Sequence, residues 1–367
     1  MFRQLQRARF SNSLLQFSRR RVNTATSSAL PSILTEVPLS EKTLSLANGV
    51  LKGERVALSR AITLIESSNP EHEQQAELLL EYVLKNRKPN RKAFRVGIPG
   101  PPGSGKSTFI EALGGLLLND FDQRLAVIAV DPSSHRSHGS ILGDKTRMTK
   151  LSVDERAFIR PSPSRCRLGG VAQHTNDVIL LVESAGFDMV LVETVGLGQS
   201  EIEVDECVDM LVLLVPPALG DELQGSKKGI MEVADMVVVN KADGNLKDLA
   251  RHAAVDYSHA LQLARRKREG WVPPVKKCSS TTGEDIRQVW DEITRFRREM
   301  AQNIADKRKE QAASWMWTDF QDQLVRIARD SDLVLKESNR LLPALSGGFM
   351  SPRHAARDLL KAFLTNK

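Results

Sequence analysis

Nine consecutive residues, Gly100, Pro101, Pro102, Gly103, Ser104, Gly105, Lys106, Ser107 and Thr108, set a lysine and two hydroxyls directly after a glycine-rich turn. The first eight have the spacing G-x-x-x-x-G-K-[ST], and the chemistry that needs this spacing is the cradling of phosphate. Glycines let backbone N–H groups converge on phosphate oxygens, and the N-terminus of the following helix adds its partial positive charge. The Lys106 ammonium can then reach the β and γ phosphates while the Ser107 hydroxyl is offered to Mg2+. Such a loop works only between a strand and a helix. Phe94 to Ile98 is a short apolar strand, and Ser107 to Leu118 carries Phe109, Ile110, Leu113 and Leu116 at helical spacing. The expected ligand is a nucleoside triphosphate.

A second group of residues selects the base. The apolar run Asp235 to Val239 ends in Asn240, Lys241, Ala242 and Asp243, the order N-K-x-D. Asp243 can accept two hydrogen bonds from the N1–H and 2-amino groups of guanine, and adenine has no donor at either place. A buried acceptor left unmatched costs about 1–3 kcal/mol, so the motif predicts GTP and GDP rather than adenine nucleotides. Lys241 would lie along the base plane, and Asn240 would tie this loop back to the phosphate loop. Lys276 to Gly283 follows another strand, and its Ser279, Ser280 and Thr281 suit the last guanine loop.

Two acids stand at strand ends, where ligands of open α/β folds bind. Asp131 follows the strand Arg124 to Val130 and is a metal-side candidate. Glu193 closes the strand from Asp188 and is followed by Thr194, Val195 and Gly196. That arrangement supplies an acid to hold Mg2+ through water and a glycine N–H to sense a γ-phosphate. Lys106, Glu193 and Gly196 are therefore the expected catalytic set, and Ser107, Asp131 and Glu193 the expected metal set. Leu197 follows Gly196, and the nearest amide side chain is Gln199. A glutamine directly after the glycine would orient the attacking water, so slow unaided hydrolysis is expected.

Together with these motifs, Asp131-Pro-Ser-Ser134, Gly139-Ser-Ile-Leu-Gly-Asp144-Lys-Thr-Arg-Met148, Glu193-Thr-Val-Gly-Leu-Gly-Gln-Ser-Glu201 and Gly220-Asp-Glu-Leu-Gln-Gly225 closely resemble the MeaB family of G proteins. The likeness runs from about Leu39 to the C-terminus and departs from the family pattern at His138. It implies a P-loop GTPase that gates adenosylcobalamin loading of methylmalonyl-CoA mutase and helps expel inactivated cofactor. It also implies that Asp131, Asp144 and Glu193 belong to the Mg2+ and switch regions. Asp221 and Lys227 would fall in a third switch that addresses the mutase, and the C-terminal arm would reach a second subunit, giving a homodimer.

Composition agrees with an enzyme-sized chain: 367 residues, 41% hydrophobic and 26% charged, enough for a sizeable core. No apolar run approaches the roughly 20 residues that span a membrane, so no membrane span is expected. All but +1 of the net charge of +7 lies in the first 35 residues, which hold six arginines and no Lys, Asp or Glu. With Phe2, Leu5, Phe10, Leu14, Leu15 and Phe17 able to line one helix face, residues 1–35 read as a mitochondrial transit peptide, with the matrix as destination. Nucleic acid is not an expected partner, because aromatic residues make up 5% and do not interleave with the basic ones. Three cysteines, Cys166, Cys207 and Cys278, without a C-x-x-C pair, read as buried thiols without a role. His135 and His138, three apart in a serine-rich loop, lack a third ligand for zinc.

These residues need a frame to hold them. Strands are expected near 94–98, 124–130, 189–193, 210–215, 235–239 and 275–278, each followed by a loop or helix, which predicts a mostly parallel sheet flanked by helices. The expected domains are a helical segment 36–90, a P-loop GTPase domain 91–283 and a C-terminal helical dimerisation region 284–367. Glu54 to Ser67 and a helix opened by Asn69-Pro70-Glu71 fill the first. Arg265 to Arg268 read as solvated cations in the last turn of a helix from Leu246. Two other readings stay open. A metallochaperone GTPase would ordinarily carry His-rich tracts or Cys/His pairs, and a P-loop kinase would need a residue to accept a hydroxyl proton.

Overall fold

A computed structural model of the chain describes residues 38–67, 69–88, 93–131, 148–163, 174–194, 204–217, 228–263 and 267–365. The chain divides into two units, 1–39 and 40–367, and the second carries the fold described below.

Three helices come first: α1 (Glu41–Leu51), α2 (Arg55–Ile65) and α3 (Pro70–Asn86). Two of their starts follow from side chains that take an orphan N–H. Ser40 Oγ accepts from Thr43 N, and Asn69 Oδ1 accepts from Glu71 N just ahead of Pro70. Strands and helices then alternate as β1 (Phe94–Ile98), α4 (Lys106–Asp120), β2 (Leu125–Asp131), α5 (Thr149–Val153), β3 (Ala157–Pro163), α6 (Thr175–Ser184), β4 (Met189–Thr194), β5 (Met210–Val215), α7 (Lys228–Val233), β6 (Met236–Val239), α8 (Lys247–Leu263) and β7 (Val275–Lys277). Four helices complete the chain: α9 (Ile286–Glu299), α10 (Ala301–Asp330), α11 (Asp332–Ser346) and α12 (Pro352–Leu364).

The seven strands form one sheet in the order β3-β2-β4-β1-β5-β6-β7, with every pairing parallel. Parallel neighbours need crossover connections, and the helices that make them cover both faces. Alternate strand residues accordingly enter two cores. Val96, Ile98, Val127 and Leu191 pack with Phe109 of α4, Leu151 of α5 and Ile293 of α9. Ala126, Ile128, Val190 and Val192 pack with α1 to α3 and with Val178 and Val182 of α6. A third cluster joins Val237 and Val239 to Ala250 and Tyr257 of α8. The expected architecture is thus the observed one, with β3 as an additional strand. Pro161 and Pro163 argue against a strand, but β3 is an edge and pairs with β2 alone, so it tolerates missing N–H groups.

The base of the sheet repeats one device. Asp188, Asp209 and Asp235 each stand immediately before a strand-opening methionine, and each carboxylate accepts a backbone N–H from a neighbouring strand's start. Asp188 takes Arg124 N, Asp209 takes Arg95 N and Asp235 takes Leu211 N, all at 2.9 Å. Asp209, Asp235 and nearby Glu183 are buried charges that draw in cations. Arg95 grips Glu183 of α6 with two bonds of 2.8 Å, and Arg308 of α10 meets Asp209 at 2.5 Å. Here the reading of Arg265 to Arg268 as a solvated helix end fails for the residues described. The helix is described to Leu263, and beyond the undescribed residues 264–266 Lys267 and Arg268 turn inward to Asp235, each at 2.8 Å. A buried carboxylate left without a counter-charge costs more than a solvated helix end returns.

Cys207 and Cys278 are buried, and burial pushes both thiols up to about 12. Cys166 lies outside the described residues. At the C-terminus, α12 packs on α11 with Ala355 buried, whereas Trp317, Phe320 and Leu324 of α10 and Leu360 of α12 remain exposed. Among the described residues no helix is long and apolar enough to cross a membrane.

Candidate guanine nucleotide site

The loop between β1 and α4 approaches its surroundings too closely for side chains at two places. A Cβ on Gly100 would lie 2.2 Å from Leu214 O at the end of β5. Gly105 has φ +86°, and a Cβ there would lie 2.6 Å from Asn240 Nδ2. Gly105 therefore needs glycine for conformation and for space together. The turn closes with Ser104 N donating to Pro101 O at 3.1 Å, and Phe109 N donating to Gly105 O at 2.8 Å starts the helix. Gly103, at φ +80°, has nothing within 4 Å of where its Cβ would be, so the loop opens there. Lys106 Nζ donates to Gly100 O at 2.8 Å and to Pro101 O at 3.3 Å. Its ammonium is thereby folded back over the mouth of the loop. Ser107 is buried, and its hydroxyl donates to Glu193 Oε1 at 3.0 Å across the β1–β4 pair.

Asn240 joins this loop to the two on the base side. Its Nδ2 donates to Ser104 O at 2.9 Å, and its Oδ1 accepts from Ser280 N at 3.1 Å and Ser280 Oγ at 2.7 Å. The Cys278 thiol donates to the same Oδ1 at 3.7 Å. Ser279 Oγ donates to Asp243 Oδ2 and accepts from Thr282 N at 3.1 Å, while Ala242 N donates to Cys278 O at 3.0 Å. Lys241 takes φ +60°, a left-handed turn at the strand end.

The structure thus brings together Gly100 to Ser107, Glu193, Asn240 to Asp243, Ser279 and Ser280. Thr108 and Thr281 are exposed beside them. Asp131 ends β2 one step beyond the Val130–Thr194 pair, at the same end of the sheet. Asp144, Gly196, Asp221, Lys227, His135 and His138 lie outside the described residues. Sequence reasoning gave Cys278 no role, although its place directly before Ser279 puts its thiol against Asn240. Among the described residues no three His, Cys, Asp or Glu side chains form a group that could hold a metal.

The residues fit the ligand they imply. The loop opens at Gly103, and Lys106 already rests on backbone carbonyls at its mouth. The hydroxyl and carboxylate of Ser107 and Glu193 are hard oxygen donors of the kind Mg2+ takes.

Comparison with known proteins agrees. The model of the family described as methylmalonyl Co-A mutase-associated GTPase MeaB matches residues 58–332. The chain is 45% identical over 327 residues to the methylmalonic aciduria type A homolog, mitochondrial, of Mus musculus, covering 87% of this chain and 79% of that protein. It is 41% identical over 313 residues to GTPase ArgK of Escherichia coli (strain K12), covering 84% of this chain and 92% of that one. Among solved structures, a LAO/AO transport system kinase is similar with a TM-score of 0.69 and 34% identity, covering 89% of this chain and 100% of that one. With a site built for guanine nucleotide and relatives named as GTPases, the chain is a GTP-hydrolysing P-loop enzyme and belongs to the MeaB family.

Proposed function

We propose that this GTPase is a chaperone of adenosylcobalamin-dependent methylmalonyl-CoA mutase, gating cofactor loading and protecting or reactivating the enzyme. The observation that carries the reading is a binding site assembled from three loops on a chain that has Leu197, and no glutamine, after Gly196. Such a site holds GTP while leaving hydrolysis to be completed by a partner. The family's description as mutase-associated supplies the partner's class.

In this reading Lys106 neutralises charge on the β and γ phosphates, and the loop N–H groups from Gly100 to Thr108 fix their position. Asp243 accepts the guanine donors and is itself held by Ser279, so that an adenine base would leave its carboxylate unmatched. Ser107 and Glu193, with Asp131 and Asp144, would hold Mg2+. The ion, when bound, offsets the negative charge that develops on the phosphate oxygens. Gly196 would supply the N–H that senses the γ-phosphate, and Asp221 and Lys227 would belong to the switch that addresses the client. Residues 1–35 direct the chain to the mitochondrial matrix, and 36–90, 91–283 and 284–367 serve as helical support, GTPase domain and dimerisation region. Support for a homodimer is the apolar surface of Trp317, Phe320 and Leu324 on α10.

The test is GTP turnover with and without methylmalonyl-CoA mutase and its cofactor. Stimulation of several-fold is expected, with Lys227→Ala or Asp221→Ala reducing it and sparing nucleotide binding. A partner can shift the switch only through contacts that favour one state. A fast rate indifferent to the mutase would overturn the proposal.

A further inference from the structure

Asn240 carries an imbalance where the phosphate loop meets the base loops. Its Oδ1 is a carbonyl oxygen with two lone pairs, yet three donors point at it: Ser280 Oγ at 2.7 Å, Ser280 N at 3.1 Å and Cys278 Sγ at 3.7 Å. Its Nδ2 meanwhile holds Ser104 O of the phosphate loop at 2.9 Å. Asn240, Ser104, Cys278 and Ser280 are all buried. Buried polar groups need a partner, and here one acceptor has a donor in surplus.

The backbone sets the surplus donor in place. Cys278 N donates to Val239 O at 2.9 Å and Cys278 O accepts from Ala242 N at 3.0 Å, so the residue is pinned between the end of β6 and the turn that carries Asp243. Burial pushes the thiol up to about 12, which keeps the proton on sulfur throughout the neutral range. A thiol is nevertheless a weak donor. In the free protein the two Ser280 bonds fill both lone pairs, and the thiol adds little.

Guanine changes that count, because it presents a keto oxygen, O6, where adenine presents an amino group. A donor for O6 has to come from the loops that enclose the base, and Ser280 N, with the longer of the two Ser280 bonds to Asn240, is the one given up at least cost. We propose that Cys278 is a positioning residue for guanine nucleotide: its thiol is the reserve donor that keeps Asn240 satisfied, and the phosphate loop tied to the base loops, when Ser280 N turns to O6. Adenine offers no acceptor there, so Ser280 keeps both bonds and the thiol stays idle. Cys278 thus acts through Asn240 on guanine binding, whereas Asp243, held by Ser279, reads the donors at N1 and the 2-amino group. The inference rests on the reading of Asn240 to Asp243 and Ser279 to Thr281 as the base loops.

The experiment measures, by calorimetry on the full chain, the affinities for GDP, inosine diphosphate and ADP in Cys278→Ala, Cys278→Ser, Ser280→Ala, the double variant Cys278→Ala with Ser280→Ala, and Asp243→Asn. Cys278→Ala is expected to weaken GDP and inosine diphosphate alike by about fivefold, inside the range of one lost hydrogen bond, and to leave ADP unchanged. Inosine diphosphate keeps O6 and lacks the 2-amino group, so equal losses place the effect away from Asp243. Cys278→Ser keeps a donor and should stay within about twofold of the original. The double variant leaves Asn240 Oδ1 without a side-chain donor and should lose more than the product of the two single losses. A folded Cys278→Ala with the original GDP affinity overturns the proposal, as does a loss shared by ADP, the mark of a merely structural role, or one that serine fails to rescue. If Cys278→Ala does not fold, the same comparison is read in Cys278→Val, which fills the space without donating. Asp243→Asn separates the two readings. An unaltered guanine preference there overturns the assignment of the base loops, whereas an altered preference beside an unaffected Cys278→Ala overturns the reserve donor alone.

Discussion

At the base of the sheet, Asp209 gives its oxygens to Arg95 N and Arg308, Asp235 to Leu211 N, Lys267 and Arg268, and Glu183 to Arg95. At the opposite end of the same strands, Lys106 rests on Gly100 O and Pro101 O, Ser107 on Glu193, and Asp243 on Ser279. Both ends contain buried polar groups, but their partners differ in kind. The base matches full charges with full charges from four or five elements, leaving nothing for a ligand to add. The nucleotide end matches its ammonium with carbonyls and its acids with hydroxyls, weaker partners that phosphate, Mg2+ and guanine can replace. An ion facing an opposite ion gains a full charge–charge attraction that a carbonyl or hydroxyl partner does not supply, which sets the direction of that exchange. Buried charge therefore marks structure at one end and ligand at the other, and the chemistry of the partner tells them apart.

The comparison can be broken most forcefully at the base. Asp209→Ala removes one partner of a buried ion pair and should cost about 3–5 kcal/mol of stability in denaturant titrations, with GDP affinity of the folded protein unchanged. A loss of nucleotide affinity with full stability would merge the two ends into one site. Lys106→Ala should do the reverse: about 1.5–3 kcal/mol of nucleotide binding lost, read by calorimetry, with the melting temperature of the ligand-free protein nearly unmoved. Asp243→Asn should trade GTP for xanthosine triphosphate, whose C2 oxygen accepts where guanine donates, by about 1–3 kcal/mol in a competition assay. An unaltered preference would remove Asn240 to Asp243 from the base pocket.

Acid supplies a gentler probe of the same contrast. Burial works to raise the Asp205 carboxyl, but Lys307 and Lys267 beside it hold it below its ordinary value. A depressed carboxyl contributes stability that is complete above the unfolded pKa and is lost as pH falls through the folded value. Stability should therefore drop below about pH 4, the ordinary carboxylate range, while Asp205→Asn shows a shallower decline. Equal slopes for the two proteins would contradict the pairing. Smallest of all, Arg326→Ala breaks an exposed pair with Glu73 and should change stability by less than about 1 kcal/mol.

The nucleotide end was legible in the sequence because its residues are contiguous. Gly100 to Ser107 and Asn240 to Asp243 are short runs whose spacing is the chemistry, and strands such as Met210 to Val215 announce themselves by unbroken apolar character. The base was not legible, for a physical reason. A charged residue looks the same in sequence whether water or a carboxylate from far along the chain surrounds it, so Lys267 reads as a solvated cation and nothing singles out Lys307 or Arg308. The one local signal there is the recurrence of Asp-Met before β4, β5 and β6, which marks Asp188, Asp209 and Asp235 as strand-base acids. β3 was hidden by its prolines, and the thiol of Cys278 by the absence of any second cysteine nearby.

Amide hydrogen exchange with and without GDP and Mg2+ measures the central contrast directly. Binding should slow exchange in 100–108, 240–243 and 278–281 and leave 93–95, 204–209 and 307–315 as they were, with ADP producing neither change. Protection centred on the base of the sheet, or the same pattern with ADP, would contradict the account.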